Sequence, residues 1–265
     1  VNNWANLIIL VLLTAELAQG RGISAHRDRN VSFSESMRSL RLQNSNFATP
    51  VDFAVPLQKL KLDTLSKWAN AIEVSTAFVL MRDFRFISSP NERKFLRRVS
   101  WLFPDDGCFA RAALAKKNLL EWRFPPIKKL FAFGNLVVKT RNHPSGEVTW
   151  WYHVVPVLGV GPDAYVFDPA IEPKRPILIS EWVEAIGGIS AKVILAICSA
   201  DTYTPTDSCL NPDAAAESSA LDDQLQLLEY ERMRLESMHR DPKKELGDSP
   251  PWKIALESLG IRTKF

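Results

Sequence analysis

The sequence predicts an α+β domain in which a cysteine-bearing helix packs on an antiparallel sheet. Three observations lead there. The stretch Pro104-Asp105-Asp106-Gly107-Cys108-Phe109-Ala110-Arg111-Ala112 reads as a loop that turns into a helix with a cysteine at the joint. After Pro125-Pro126 the chain becomes rich in β-branched and aromatic residues, punctuated by turn residues at Asn142–Gly146 and Gly159–Asp163. The 265 residues, 46% hydrophobic and 10% aromatic, are enough for one large domain with a sizeable core and extensions.

At the N-terminus, Leu7 to Ala15 form a short apolar run. It is too short to span a bilayer, so no stable membrane insertion is expected. Its length suits a signal-peptide core, and Ala18-Gln19-Gly20 offers small residues for cleavage. Val1 to Asn6 lack the usual Lys or Arg, so a buried N-terminal element is the alternative. The domain reading is a signal peptide over 1–20, a linker or pro-segment over 21–60, a catalytic domain over 61–210 and a helical extension over 211–265. The 21–60 stretch is polar, and Pro50 and Pro56 interrupt it.

Leu62 to about Met81 is expected as a helix, capped by Asp63 or Thr64, with Leu65, Trp68, Ala69 and Ile72 at helical spacing. Arg82 to Ile87 follows as a strand and Glu92 to Val99 as a short helix, with Arg93, Lys94, Arg97 and Arg98 on its solvated face. The cysteine helix runs from Phe109 to Glu121, with Asp105 or Asp106 as its cap. Its apolar residues are Ala112, Ala113, Leu114, Ala115, Leu119 and Leu120. A thiol in the first turn of a helix meets the positive end of the macrodipole, which favours the thiolate. A buried structural cysteine is the plain alternative.

Lys129 to Lys139 is strand-like, with Gly134-Asn135 as a bulge. Val148 to Leu158 is a long strand, and Ala164 to Asp168 is its hairpin partner. Ile177 to Gly187 holds a short strand and a helix marked by Ser180-Glu181-Trp182. Ala191 to Ile197 is apolar on both faces and reads as a central or near-central strand. Leu221 to His239 is an amphipathic helix with Leu221, Leu225, Leu228 and Leu235 on one stripe.

The net charge of +3 is too small to argue for nucleic acid. The three cysteines and four histidines show no zinc-site spacing. A nucleophilic cysteine needs a base within reach and a group that orients the base. Of the histidines, only His153 lies in an expected strand of the core; His143, beside Pro144, reads as a turn residue. A turn over Gly159–Asp163 sets His153 opposite residue 169, and a tighter one sets it opposite Asp168, so the two are adjacent or diagonal. The register stays open, and a one-residue slip flips the face. The order Cys, His, Asp occurs in papain-like and transglutaminase-like cysteine enzymes, where the cysteine helix packs on a sheet bearing the other two.

Asp106 to Ala112, Phe133-Gly134-Asn135-Leu136, Trp151-Tyr152-His153-Val154 and Phe167-Asp168-Pro169 together resemble the secreted bacterial protein-glutaminases. The likeness covers roughly residues 95 to 205. It implies Cys108 as nucleophile, His153 as acid/base and Asp168 as orienting carboxylate. The implied substrates are proteins bearing exposed glutamine, with no metal or organic cofactor. Val155 stands where the family has alanine after His-Val, and at most one disulfide is available where the secreted enzymes carry several. The segment beyond about residue 212 has no counterpart. The same three residues also suit a protease, a transglutaminase or a deamidating toxin; an exported binding module without catalysis is the remaining alternative. With an odd count of cysteines in an exported chain, Cys198 and Cys209 are expected to pair and Cys108 to stay free.

Overall fold

The computed structural model describes residues 23–28, 30–41, 46–83, 85–87 and 96–246. The expected signal peptide lies outside these residues, as does the end of the C-terminal extension. At the centre is a five-stranded antiparallel sheet of order β6-β5-β4-β3-β7. Its strands are β3 (Lys128–Lys139), β4 (Glu147–Val160), β5 (Asp163–Val166), β6 (Ile177–Leu178) and β7 (Ile194–Cys198). The long β3–β4 pair forms the spine, with Ala132 opposite His153 and Phe133 opposite Tyr152. The ladder shifts at Gly134-Asn135, the expected bulge. A Cβ on Gly134 would lie 2.6 Å from the Ala191 carbonyl oxygen, so only glycine permits that approach.

The cysteine helix α3 (Cys108–Glu121) lies across this sheet and buries all of its first eight residues. Its alanines let the helix sit close, so Ala110, Ala112 and Ala113 share one core cluster with Phe131, Phe133, Tyr152 and Val154. A second cluster gathers Trp68, Phe78, Leu119, Leu158 and Phe167, where α2 (Ala71–Asp83) meets α3. The Phe167 ring packs edge-on to both Trp68 and Phe78.

Several expectations shift. The helix expected from Leu62 begins at Ala71, because Asn70 is the real cap: its Oδ1 accepts from the Glu73 amide, and Glu73 accepts from the Ala69 amide. Leu96–Arg98, expected as helix, is a strand (β2) paired antiparallel with β1 (Arg85–Ile87); residues 88–95 fall outside the described set. Strand β7 is an edge strand rather than a central one. Its outer edge is covered by Val55, which exchanges both backbone hydrogen bonds with Leu195 at 2.9 and 2.8 Å. That pairing satisfies backbone groups at an otherwise open sheet edge.

The 23–60 stretch carries more structure than its polarity suggests. It holds α1 (Phe33–Arg41), started by a reciprocal Ser32–Glu35 capping box. Ahead of α1, residues 25–27 pair with the open edge of β4: the Arg27 amide donates to Thr149, and the Trp151 amide to Ala25. At the other end, α5 (Ala220–Ser237) packs on α3, and α6 (Pro242–Leu246) follows. The buried stripe of α5 is Gln224, Leu227, Leu228, Glu231 and Leu235, so the face is rotated from the all-leucine stripe and includes two polar residues. Cys198 and Cys209 form a disulfide and Cys108 is free. No helix among the described residues is long and apolar enough to cross a membrane.

Candidate active site

Cys108 is the first residue of α3. Neither expected aspartate caps this helix. Gly107 takes the N-cap position at φ +85°, with no side-chain hydrogen bond to the first turn. The first-turn amides, which have no partner within the helix, are thus left unclaimed by a capping side chain. Asp106 turns back instead, and its Oδ1 accepts from the Gly107 amide at 2.7 Å and the Ala25 amide at 3.1 Å. Burial pushes its carboxyl pKa up, against these hydrogen bonds and the nearby Arg111 charge.

His153 sits mid-strand in β4, beneath the start of α3, and Asp168 follows β5. The hairpin register is Val160 opposite Asp163 and Val157 opposite Val166, with Gly161-Pro162 as the turn. Extended along the strands, this register would set His153 opposite residue 170, one residue beyond the first arrangement considered above and two beyond the second. The ladder ends at Val166, after which the Phe167 amide donates to Pro156 and Asp168 swings beneath the imidazole. His153 Nε2 and Asp168 Oδ2 are 2.8 Å apart. The same carboxylate oxygen accepts from Trp182 Nε1 at 2.9 Å. Trp182 lies on α4 (Ile179–Ala185), and the His153 ring stacks on Trp150 and on Trp182.

Cys108 lines the same cavity as His153. His153 Nδ1 is buried without a hydrogen-bond partner. Cysteine, histidine and aspartate line one narrow cavity of about 10 Å³ with Trp101, Arg111 and Phe167. They are 2%, 1% and 3% exposed, so the site is closed. Burial disfavours an imidazolium, but the charge and hydrogen bond of Asp168, with Cys108 alongside, outweigh it and raise the His153 pKa to about 9. Burial likewise disfavours the Asp168 carboxylate, and the His153 charge and the Trp182 N–H outweigh it, so its pKa is lowered.

Three contributors escape the sequence reading. Trp182 was legible only as a helix marker, although a buried indole N–H needs an acceptor and so points to one. Tyr152 faces Cys108, and its hydroxyl donates to the Ile23 carbonyl; burial, with Cys108 and Asp106 nearby, holds its phenol well above the usual pKa. Arg111 sits one turn beyond Cys108 and donates from one Nη to the Ser100, Phe103 and Asp106 carbonyls at 3.3, 3.2 and 2.8 Å. It thereby fastens the loop that leads to the cysteine. His143 is apart from the site, in the β3–β4 turn, 3.4 Å from Asp105 and bonded to Ser145.

Residues 74–186 match the sequence model of a family described as Glutaminase. Cys108, His153, Asp168 and Trp182 all lie inside that span. No curated protein sequence matches the chain. Among solved structures, the chain is similar to the crystal structure of a mutant pro-protein-glutaminase, at 20% identity and a TM-score of 0.47, over 67% of this chain and 62% of that one. It is also similar to the crystal structure of protein-glutaminase, at 19% identity and a TM-score of 0.46, over 63% and 89% of the two chains. The NMR structure of protein-glutaminase from Chryseobacterium proteolyticum is similar at 22% identity and a TM-score of 0.47, over 59% and 86%. The chain thus spans about 62% of the length of the mutant pro-protein.

Proposed function

We propose that this chain, whose residues 74–186 match the model of a family described as Glutaminase, hydrolyses the side-chain amide of protein-bound glutamine to glutamate and ammonia. The observation that carries this reading is the 2.8 Å His153–Asp168 pair buried under a helix-initial free cysteine. A base oriented by a carboxylate beside a thiol is the arrangement that nucleophilic acyl transfer requires.

The geometry supports the following steps. His153 takes the Cys108 proton, and the thiolate attacks the carboxamide carbon. The oxyanion that forms is met by first-turn amides of α3, that of Cys108 among them. The imidazolium, held by Asp168, donates its proton to the departing nitrogen, and ammonia leaves from a thioester. A water that gives its proton to His153 then attacks the thioester carbon. The C–S bond breaks, the thiol is restored and glutamate remains. Asp168, itself held by Trp182, engages Nε2 of the ring and leaves Nδ1 free for the exchange with the thiol.

The closed site calls for an opening step. Residues 23–25 form a strap fastened to residues next to the triad in sequence: Ile23 accepts from Tyr152, Ser24 from Trp151 Nε1 at 2.8 Å, and the Ala25 amide donates to Asp106. In this reading the 21–60 segment restrains activity, as a pro-segment would. The disulfide supports action in an oxidising compartment, secreted or periplasmic, in keeping with the export signal expected over residues 1–20.

The experiment is ammonia release from a glutamine-bearing protein, by the full chain and by the chain after limited proteolysis, each compared with Cys108→Ala. Ammonia with the amide-to-acid mass change, lost in Cys108→Ala, is expected. Peptide fragments would make the chain a protease, crosslinks a transglutaminase, and no product from either preparation would end the enzymatic reading.

A further inference from the structure

We infer that the C-terminal helix α5 is a clamp that positions the cysteine loop, with Glu231 as its principal positioning residue. This rests on the reading above only in taking Cys108 as the reacting group. Helix α5 lies beyond the residues matched to the glutaminase family, so the clamp is a feature of this chain's own extension.

Gln224, Leu227, Glu231 and Arg234 succeed one another at steps of three or four and so share one helix face. Every one of them meets the segment that runs into Cys108. Gln224 Nε2 donates to Ser100 Oγ at 2.6 Å. Glu231 Oε1 accepts from the Leu102 amide at 2.6 Å and from Arg98 at 3.2 Å. Arg234 grips the Asp105 carboxylate with two bonds, 2.8 and 2.9 Å, and lies over the Phe103 ring. Leu227 packs on Gly107 so closely that a Cβ there would fall 2.2 Å from its Cδ1. The loop is thus held from outside by α5 and from inside by Arg111.

The chemistry of the face argues for positioning over adhesion. Glu231 and Gln224 are fully buried, and each keeps one oxygen without a hydrogen-bond partner. Burying a carboxylate in this way costs stability that a leucine would not. A leucine supplies no directional acceptor for the Leu102 amide. That bond fixes the height of the loop over α3, and with it the place of Gly107 and the Cys108 amide. A small displacement of a catalytic group is enough to lower the rate steeply.

The test compares Glu231→Ala, Glu231→Gln and Met233→Ala in the full chain, at a temperature where circular dichroism shows each folded. Met233 is 53% exposed and serves as the control on the same helix. Glu231→Ala is expected to lower kcat for ammonia release about 100-fold, with KM within about twofold, because the loss falls on the reacting geometry. Glu231→Gln keeps an acceptor for Leu102 and should regain most of that loss. A folded Glu231→Ala with wild-type kcat, or a loss carried by KM, overturns the clamp. Should Glu231→Ala not fold, Arg234→Gln at the rim of the clamp takes its place, with the same split expected. Should the wild type release no ammonia, the deamidase reading fails separately. The clamp is then judged by iodoacetamide alkylation of Cys108: a rate changed by Glu231→Ala but not by Met233→Ala retains it, and equal rates overturn it.

Discussion

At the scale of the residue, the His153–Asp168 pair makes the site sensitive to pH. The His153 pKa is raised from 6.5 to about 9, so its contribution to stability is complete below about 6.5 and is lost as pH rises through 9. The Asp168 pKa is lowered from 3.8, so its contribution is present above that value and is lost as pH falls below it. The pair therefore supports the fold most between the two ordinary values. In the proposed mechanism the proton that leaves with ammonia comes from the imidazolium, so kcat should fall as pH rises through about 9. In Asp168→Asn this alkaline limb should move to lower pH, since the ring loses its counter-charge; a limb left in place would separate Asp168 from the titration. Trp182→Phe removes a hydrogen bond to a buried carboxylate and should cost roughly 2 kcal/mol, read by urea unfolding. An unchanged midpoint would mean that the indole N–H has no bearing on the pair.

At the scale of the element, what could be read in advance depended on how local the signal was. The α3 helix and the β3 bulge follow from neighbouring residues, and both occur within a residue or so of the expected bounds. The α2 start did not, because three polar residues, Asp63, Thr64 and Asn70, compete to cap it and only tertiary packing decides. Strand β7 looked central because its sequence records burial on both faces, and burial does not say whether a strand or the Val55 segment supplies the cover. The cap at Cys108 was misjudged for a similar reason: Asp106 has a stronger claim on the strap at Ala25 than on the helix. Gly107 is left to make the turn, so Gly107→Ala should be strongly destabilising, both through φ +85° and through the clash with Leu227; melting at the wild-type temperature would refute the packing described. The Cys198–Cys209 loop has a sequence separation of 11, and its disulfide should contribute about 3 kcal/mol. Replacing both cysteines by serine should lower the unfolding free energy by about that much and leave kcat unaltered.

At the scale of the whole molecule, the protein wraps a small sheet with three segments that converge on the cysteine: the strap, α3 and α5. That Cys108, His153 and Asp168 would come together was legible, because helix start, strand and strand end each have local signatures. The sequence did not carry the strap or the clamp, since their contacts join residues far apart in the chain, as between Glu231 and Leu102. A chain beginning at Phe47 keeps the Val55 cover of β7 and loses the strap. It should release ammonia faster than the full chain, and equal rates would remove the restraint assigned to residues 21–60. The central claim is that Cys108, His153 and Asp168 act as one unit. Groups that act as a unit lose activity non-additively. The most direct measurement is kcat/KM for ammonia release in Cys108→Ala, His153→Ala, their double variant and His143→Ala. Each of the first two should fall nearly to background, the double variant should fall little further, and His143→Ala should stay within about twofold. An active His153→Ala beside an inactive His143→Ala would contradict the account.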